Sequence, residues 1–195
     1  MASIGEDDTG QRWGWQAPVP LRVDDTGQMP SILFVCTGNT CRSIMAAAFT
    51  ADALSAASFT ISSAGVSVEP LGVEPAGLPA SAHSITMLHE LNESGSIAIT
   101  MALEHRSRPA LAALVAEYDF VYCMTRSHRA ALLEIMEVGG DGEVEIELLD
   151  PAGKDCPDPW HCSLEIYRTT AKAIKAMVAK RVADWREFHA ERAWP

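Results

Sequence analysis

The sequence predicts an α/β fold: a three-layer sandwich in which a central four-stranded parallel sheet is flanked by helices on both faces. Three observations lead there. Short, almost wholly apolar runs such as Ile32-Leu33-Phe34-Val35 lack the alternation of a half-wet strand and have the pattern of strands buried on both faces. Segments with helical apolar spacing separate these runs, and strands alternating with helices place a parallel sheet between two helical layers. The chain has 195 residues, 48% hydrophobic and 21% charged, which suits one globular domain.

Residues 1–29 show no sustained period and carry the acidic pairs Asp7-Asp8 and Asp24-Asp25. They read as a flexible acidic tail before a single domain at 30–195. The string DDTGQ occurs there twice, at 7–11 and 24–28. A duplicated docking motif would look the same, but a polar, weakly hydrophobic segment is more simply solvated.

Within the domain, Ser31 to Val35 forms the first buried strand. The loop CTGNTCRS, residues 36–43, follows, and then a helix with Met45, Ala48, Phe49 and Ala53 on one face. Residues 58–66 read as a second strand and 120–124 as a third. Helices are expected at about 79–92 and 109–117, each with proline at or near its first position, and at 126–136. Residues 144–148 alternate Val144, Ile146 and Leu148 with Glu145 and Glu147, the pattern of an edge strand with one wet face. The last helix starts from a Ser163 N-cap and carries Leu164, Tyr167, Ala171, Ile174, Val178, Val182 and Trp185 in steps of three and four. Ligands of such sheets bind at the carboxyl ends of the strands, where loop 36–43 lies.

Charge and cysteine usage narrow the function. Fifteen basic against 26 acidic residues give a net charge of −11, which repels phosphate backbones and argues against a nucleic-acid partner. No run of roughly 18 uncharged apolar residues is present and the N-terminus has no basic leader, so neither membrane insertion nor export is expected. Five cysteines are an odd number in a chain long enough to build its own core, which points to free thiols in a reducing cytoplasm.

The pattern Cys-x5-Arg, shared by phosphatases that use a cysteine thiolate, occurs three times: Cys36 to Arg42, Cys123 to Arg129 and Cys162 to Arg168. Only the first contains glycine and asparagine and lies between a buried strand and a helix start. A tetrahedral dianion needs inward-facing amides, and Gly38 and Asn39 can adopt the left-handed conformations that make such a concavity. The helix that follows adds the positive end of its dipole, and Arg42 can grip two phosphate oxygens with its planar fork. The same field favours a thiolate at Cys36 near neutral pH. Ser43 can donate a hydrogen bond to that sulfur. Cys123 reads as a buried strand residue and Cys162 as a helix-cap neighbour.

Thiolate chemistry also needs a proton donor for the leaving group. Asp158, between Pro157 and Pro159 on the loop into the last helix, fits that role, with Asp150 and Asp155 as nearby competitors and a plain turn residue as the structural alternative.

CTGNTCRS after an apolar strand, SSAGV at 62–66, and DPW at 158–160 followed by SLEIYRTTAKAI at 163–174 resemble the low molecular weight protein tyrosine phosphatase family. In motif they are nearest the protein arginine phosphatase type. The resemblance runs from residue 31 to about 185 and omits the tail. It implies catalysis by Cys36, Arg42 and Asp158, with Cys36 forming a phosphocysteine and Asp158 protonating the leaving group. It implies a substrate site built from Thr37, Gly38, Asn39, Thr40, Cys41 and Ser43, with Asn39 holding the loop in shape and Trp160 as an aromatic wall. The partners implied are phosphorylated proteins or peptides, and no metal or cofactor is involved. Two departures stand out: the family usually continues SPMAE where this chain has Ile44 and Ala47.

Thr40 occupies a loop position where tyrosine-directed members tend to carry a larger aliphatic residue and arginine-directed members threonine. The resemblance therefore leans to phosphoarginine, with phosphotyrosine as the alternative. Trp160 stacks equally on a phenol or a guanidinium. Arsenate reductases share the loop but use two further cysteines, and seven residues after Cys123 stands Ala130. A non-catalytic phosphoprotein-binding module would not need both Cys36 and Asp158. Cys41, within the loop, is a candidate for a reversible disulfide with Cys36. His83 and His89, six residues apart, share no helix face well, and Cys156, His161 and Cys162 lack a fourth ligand, so no metal site is read from them.

Overall fold

The computed structural model describes residues 5–6, 12–13, 29–54, 59–68, 77–92, 96–139 and 144–191. In the segment read as a tail, β1 (Gly5–Glu6) pairs antiparallel with β2 (Arg12–Trp13). Both DDTGQ strings lie outside the described residues.

The domain is built on β3 (Ser31–Cys36), β4 (Thr60–Gly65), β5 (Phe120–Cys123) and β6 (Ile146–Leu148). They form a four-stranded sheet in the order β4-β3-β5-β6, and all three pairings are parallel. β3 is buried at every position. Its Ile32, Phe34 and Cys36 enter one apolar cluster, while Leu33 and Val35 enter another on the opposite face. The alternation of strand side chains thus divides the core into the two layers expected. β6 lies at one edge, with only Ile146 of its three residues fully buried.

The first cluster is closed by α1 (Arg42–Leu54), α2 (Ala82–Leu91), α3 (Ile97–Glu104) and α6 (Leu164–Glu191). The second is closed by α4 (Ala112–Val115) and α5 (Arg126–Gly139). Along α6, Tyr167, Ala171, Ile174, Val178 and Trp185 are buried, and Leu164 and Val182 pack partly buried against them. Trp185 is fully buried, edge-on to Phe34 and Tyr122, and its Nε1–H donates to Tyr122 Oη at 3.0 Å. Among the described residues no helix is long and apolar enough to cross a membrane.

Two helices differ from expectation. The segment 109–117 is helical only over Ala112–Val115, because Pro109 forms a parallel bridge with Gly65. The missing proline N–H costs nothing there: Gly65 N–H donates to Arg108 O, and Ala110 N–H to Gly65 O. Leu111 then opens the helix without a side-chain cap. Conversely, α3 was not foreseen, since IAITMALE is apolar at nearly every position and shows no stripe. Its start is held by Asp52 of α1, whose Oδ1 accepts from Ala98 N–H at 3.2 Å. At α2, Pro79 stands outside the helix and Ser81 is the cap, its hydroxyl accepting from Ser84 N–H.

Trp185 supplies the largest buried side chain tying α6 to the sheet. Trp185→Ala should lower the unfolding free energy by about 3–5 kcal/mol. Tyr122→Phe, which orphans the indole N–H, should cost about 1–3 kcal/mol. Urea denaturation of both variants checks this ordering.

Candidate active site

Parallel register brings the strand ends level. Val35 pairs with both Ala64 and Cys123, and the first residues beyond the strands bond inward: Val66 N–H to Cys36 O, Met124 N–H to Val35 O and Leu149 N–H to Cys123 O, each at 3.0 Å. Cys156 N–H donates to Met124 O at 2.8 Å, which fixes the 149–163 loop against the end of β5. Asp158 thereby reaches the same face as loop 37–41.

The turn of that loop depends on Asn39, whose φ is +54°, a left-handed conformation asparagine tolerates better than most residues. Gly38 does not share it, contrary to the expectation from sequence: its φ is not positive, and a Cβ there would meet only Thr40 Oγ1 at 3.9 Å. Glycine is instead demanded at Gly65, where a Cβ would sit 2.5 Å from Thr37 O and 3.0 Å from Asn39 N. SSAGV is thus the strand on which the loop rests.

Asn39 is fully buried and every polar group of its side chain is used. Its Nδ2 donates to Ser63 Oγ at 2.8 Å and Ser43 Oγ at 3.0 Å, and its Oδ1 accepts from Arg108 N–H at 2.9 Å. Since Ser43 accepts from Asn39, its own proton is free for Cys36 Sγ, 3.1 Å away. The Asn39 carbonyl accepts from His105 Nε2 at 2.5 Å, which assigns that proton to Nε2. Burial lowers the His105 pKa, opposed by this hydrogen bond.

Arg42 opens α1 and is almost wholly buried. Its Nη2 donates to Asp158 Oδ2 at 2.6 Å and Thr37 Oγ1 at 3.4 Å, and its Nη1 to Cys156 O at 3.4 Å. The Asp158 side chain is half exposed, and its other oxygen accepts from Trp160 N–H at 3.1 Å. The competing carboxylates are engaged elsewhere. Asp155 takes the Arg126 N–H and guanidinium, and Asp150 bonds Ala152 N–H and Lys180.

These groups open on a cleft of about 370 Å³. Cys36, Thr37, Gly38, Thr40, Cys41 and Arg42 line one part, Asp158 and Trp160 another, and Ser67, Val68, Leu78 and Ser107 the remainder. Asn39 and Ser43 lie behind the loop, fully buried. Leu78 is presented by a clamp: its N–H donates to Ser107 Oγ and its carbonyl accepts from Ser107 N–H, both at 2.8 Å. Burial pushes the Cys41 thiol up to about 11 and those of Cys123 and Cys156 to about 12. Ile44 and Ala47, where the sequence departs from the usual motif, are both core residues, so the missing proline is replaced by apolar packing and the missing carboxylate by a methyl group.

Sequence reasoning did not single out His105, Arg108, His128, Leu78 or Ser107, which belong to loops or a helix start without a recognisable pattern. Ser63 and Gly65 were visible as part of SSAGV, but their contacts with Asn39 and Thr37 were not.

The family model for low molecular weight phosphotyrosine protein phosphatases matches residues 31–190. The chain belongs to that family. It is accordingly a protein phosphatase, a hydrolase whose substrates are phosphorylated proteins. This low molecular weight phosphatase is 29% identical over 148 residues to a protein-arginine-phosphatase of Bacillus subtilis, covering 75% of this chain and 91% of that protein. Its fold is similar to an arginine phosphatase of Geobacillus stearothermophilus (TM-score 0.67, 26% identity, 83% of this chain and 96% of the other). It is also similar to a low molecular weight protein tyrosine phosphatase of T. tengcongensis (TM-score 0.65, 28% identity, 80% and 99%).

Two outcomes are expected of the loop's supports. Asn39→Ala removes three side-chain hydrogen bonds and leaves Arg108 N–H without its acceptor, so it should cost roughly 2–4 kcal/mol of stability and weaken inorganic phosphate binding, both measurable by calorimetry. The second concerns His128, whose pKa falls from 6.5 to about 4 through burial and the nearby Arg42 charge. Between those values the unfolded chain binds a proton that the folded chain does not, so stability should fall as pH drops from about 6.5 to 4. Denaturant midpoints across that window should fall less steeply in His128→Gln.

Proposed function

We propose that the phosphatase works through a phosphocysteine formed on Cys36 and that its preferred substrate is phosphoarginine. What carries the reading is the convergence on one cleft of the Cys36 sulfur and the Arg42 fork, both from the 36–43 loop, with Asp158 from a distant segment of the chain. In the first step the sulfur attacks phosphorus, the bond from phosphorus to the substrate nitrogen breaks, and Asp158 gives its proton to the departing guanidine. In the second, Asp158 takes a proton from water, the water oxygen attacks phosphorus, and the phosphorus–sulfur bond breaks to restore the thiolate. Arg42, with amides of the loop from Thr37 to Ser43, holds the phosphoryl oxygens. A phosphoryl oxygen entering this site competes with Asp158 for the Arg42 fork, so substrate binding releases the acid for its own task. The Ser43 hydroxyl on the sulfur makes it a better leaving group in the second step.

Phosphoarginine is supported by Thr40, a short polar residue that lines the cleft, and by the arginine-directed relative in Bacillus subtilis. The apolar wall of Val68, Leu78 and Trp160 accepts a phenol as well, which keeps phosphotyrosine as the second reading. We read the catalytic domain as 30–195; the family match covers 31–190 and leaves residues 1–29 outside it. A cytoplasmic location accompanies a mechanism that needs a free thiol.

Cys36→Ser should abolish turnover. Asp158→Ala should lower kcat by about 10²–10⁴-fold while phosphate affinity persists. Normal hydrolysis by Asp158→Ala would remove it as the acid. Side-by-side kcat/KM values on phosphoarginine and phosphotyrosine peptides test the substrate, and Thr40→Ile should shift the ratio toward tyrosine by about tenfold or more. A wild-type preference for phosphotyrosine would overturn the arginine assignment.

A further inference from the structure

His128 is a buried histidine in contact with Thr37 of the loop, and neither the family motif nor the mechanism above uses it. It lies in the first turn of α5, where the Thr125 hydroxyl caps the helix by accepting from His128 N–H at 3.2 Å. The next residue, Arg126, is tied through its own N–H to Asp155 at 2.9 Å. Both bonds fix the start of the helix, so the imidazole is carried by a rigid element. Its Nε2 lies 2.8 Å from Thr37 Oγ1, the same oxygen that accepts from Arg42 Nη2. Among the described residues its buried Nδ1 has no hydrogen-bond partner.

Proton counting assigns this network. If Thr37 donated to Nε2, the imidazole proton would sit on Nδ1 as a buried donor with no acceptor, the more costly orphan. With the proton on Nε2, the Thr37 oxygen accepts from both His128 and Arg42, and its own hydroxyl proton remains available to the cleft that Thr37 lines. Of the three acceptors that orient Arg42, Asp158 is the one a phosphoryl group displaces. Cys156 O and Thr37 Oγ1 then remain, and Thr37 keeps its direction because His128 holds it.

We propose that His128 is a positioning residue that anchors the Thr37 hydroxyl and, through it, the Arg42 guanidinium for phosphoryl binding and transfer. The proposal rests on the reading of Cys36 and Arg42 given above. An uncharged ring suits the role, because an imidazolium would set a second cation beside Arg42; burial and that arginine keep the ring neutral.

His128→Gln places an amide N–H near the former Nε2, whereas His128→Asn ends short of it. With p-nitrophenyl phosphate as substrate and inorganic phosphate as ligand, His128→Asn should lower kcat/KM by about tenfold and weaken phosphate binding by a similar factor. His128→Gln should stay within about threefold of wild type on both measures. Thr37→Val should show a comparable loss, and the double variant Thr37→Val with His128→Asn no more than the larger single loss, because both cut one connection. Equal behaviour of the Asn and Gln variants overturns the proposal, as do losses that multiply in the double variant. A wild-type protein that fails to hydrolyse p-nitrophenyl phosphate would instead sink the phosphocysteine reading. The phosphate affinities of the variants would then decide on His128 alone.

Discussion

The site depends on one buried asparagine. Asn39 turns the loop in a left-handed conformation and uses its side chain to join Ser63 on β4, Ser43 on α1 and the Arg108 backbone beyond α3. Because a buried amide with unmet hydrogen bonds is expensive, these contacts permit few other arrangements. The rest follows in sequence: Ser43 is left free to bond the Cys36 sulfur, Arg42 sits in the first turn of the same helix, and the loop closes over Gly65. Loop geometry is thus written into side-chain contacts made behind the loop, where Asn39 is fully buried, and not in the cleft itself.

Much of this was legible in the order of residues, and the reasons differ by element. β3 and α6 were clear because a strand buried on both faces and a long amphipathic helix each impose an unmistakable period. The fold class followed from their alternation. α3 was lost because IAITMALE presents no contrast between faces, and the helix at 109–117 shrank to one turn because Pro109 serves a bridge to Gly65. Local preference had no means of reporting that long-range pairing.

The site shows the same division. Cys36, Arg42, Thr40, Asp158 and Trp160 could be named from short motifs, and the structure brings all five to one cleft. His105, Arg108 and His128 could not, since each acts through a contact between segments far apart in the chain, such as His105 with the Asn39 carbonyl. The positive φ expected of Gly38 belongs to Asn39 alone within the loop. A motif conveys which residue types are present and leaves open which of two neighbours carries the bend.

Gly65 has an implication for anyone redesigning this protein. By strand preference it is a poor choice, and a designer raising stability would write valine or isoleucine at the end of β4. The volume such a side chain needs is already taken by the Thr37 carbonyl and the Asn39 amide. A chain improved by that rule would be a better ribbon around a spoiled catalyst, so the position should be held constant in any library.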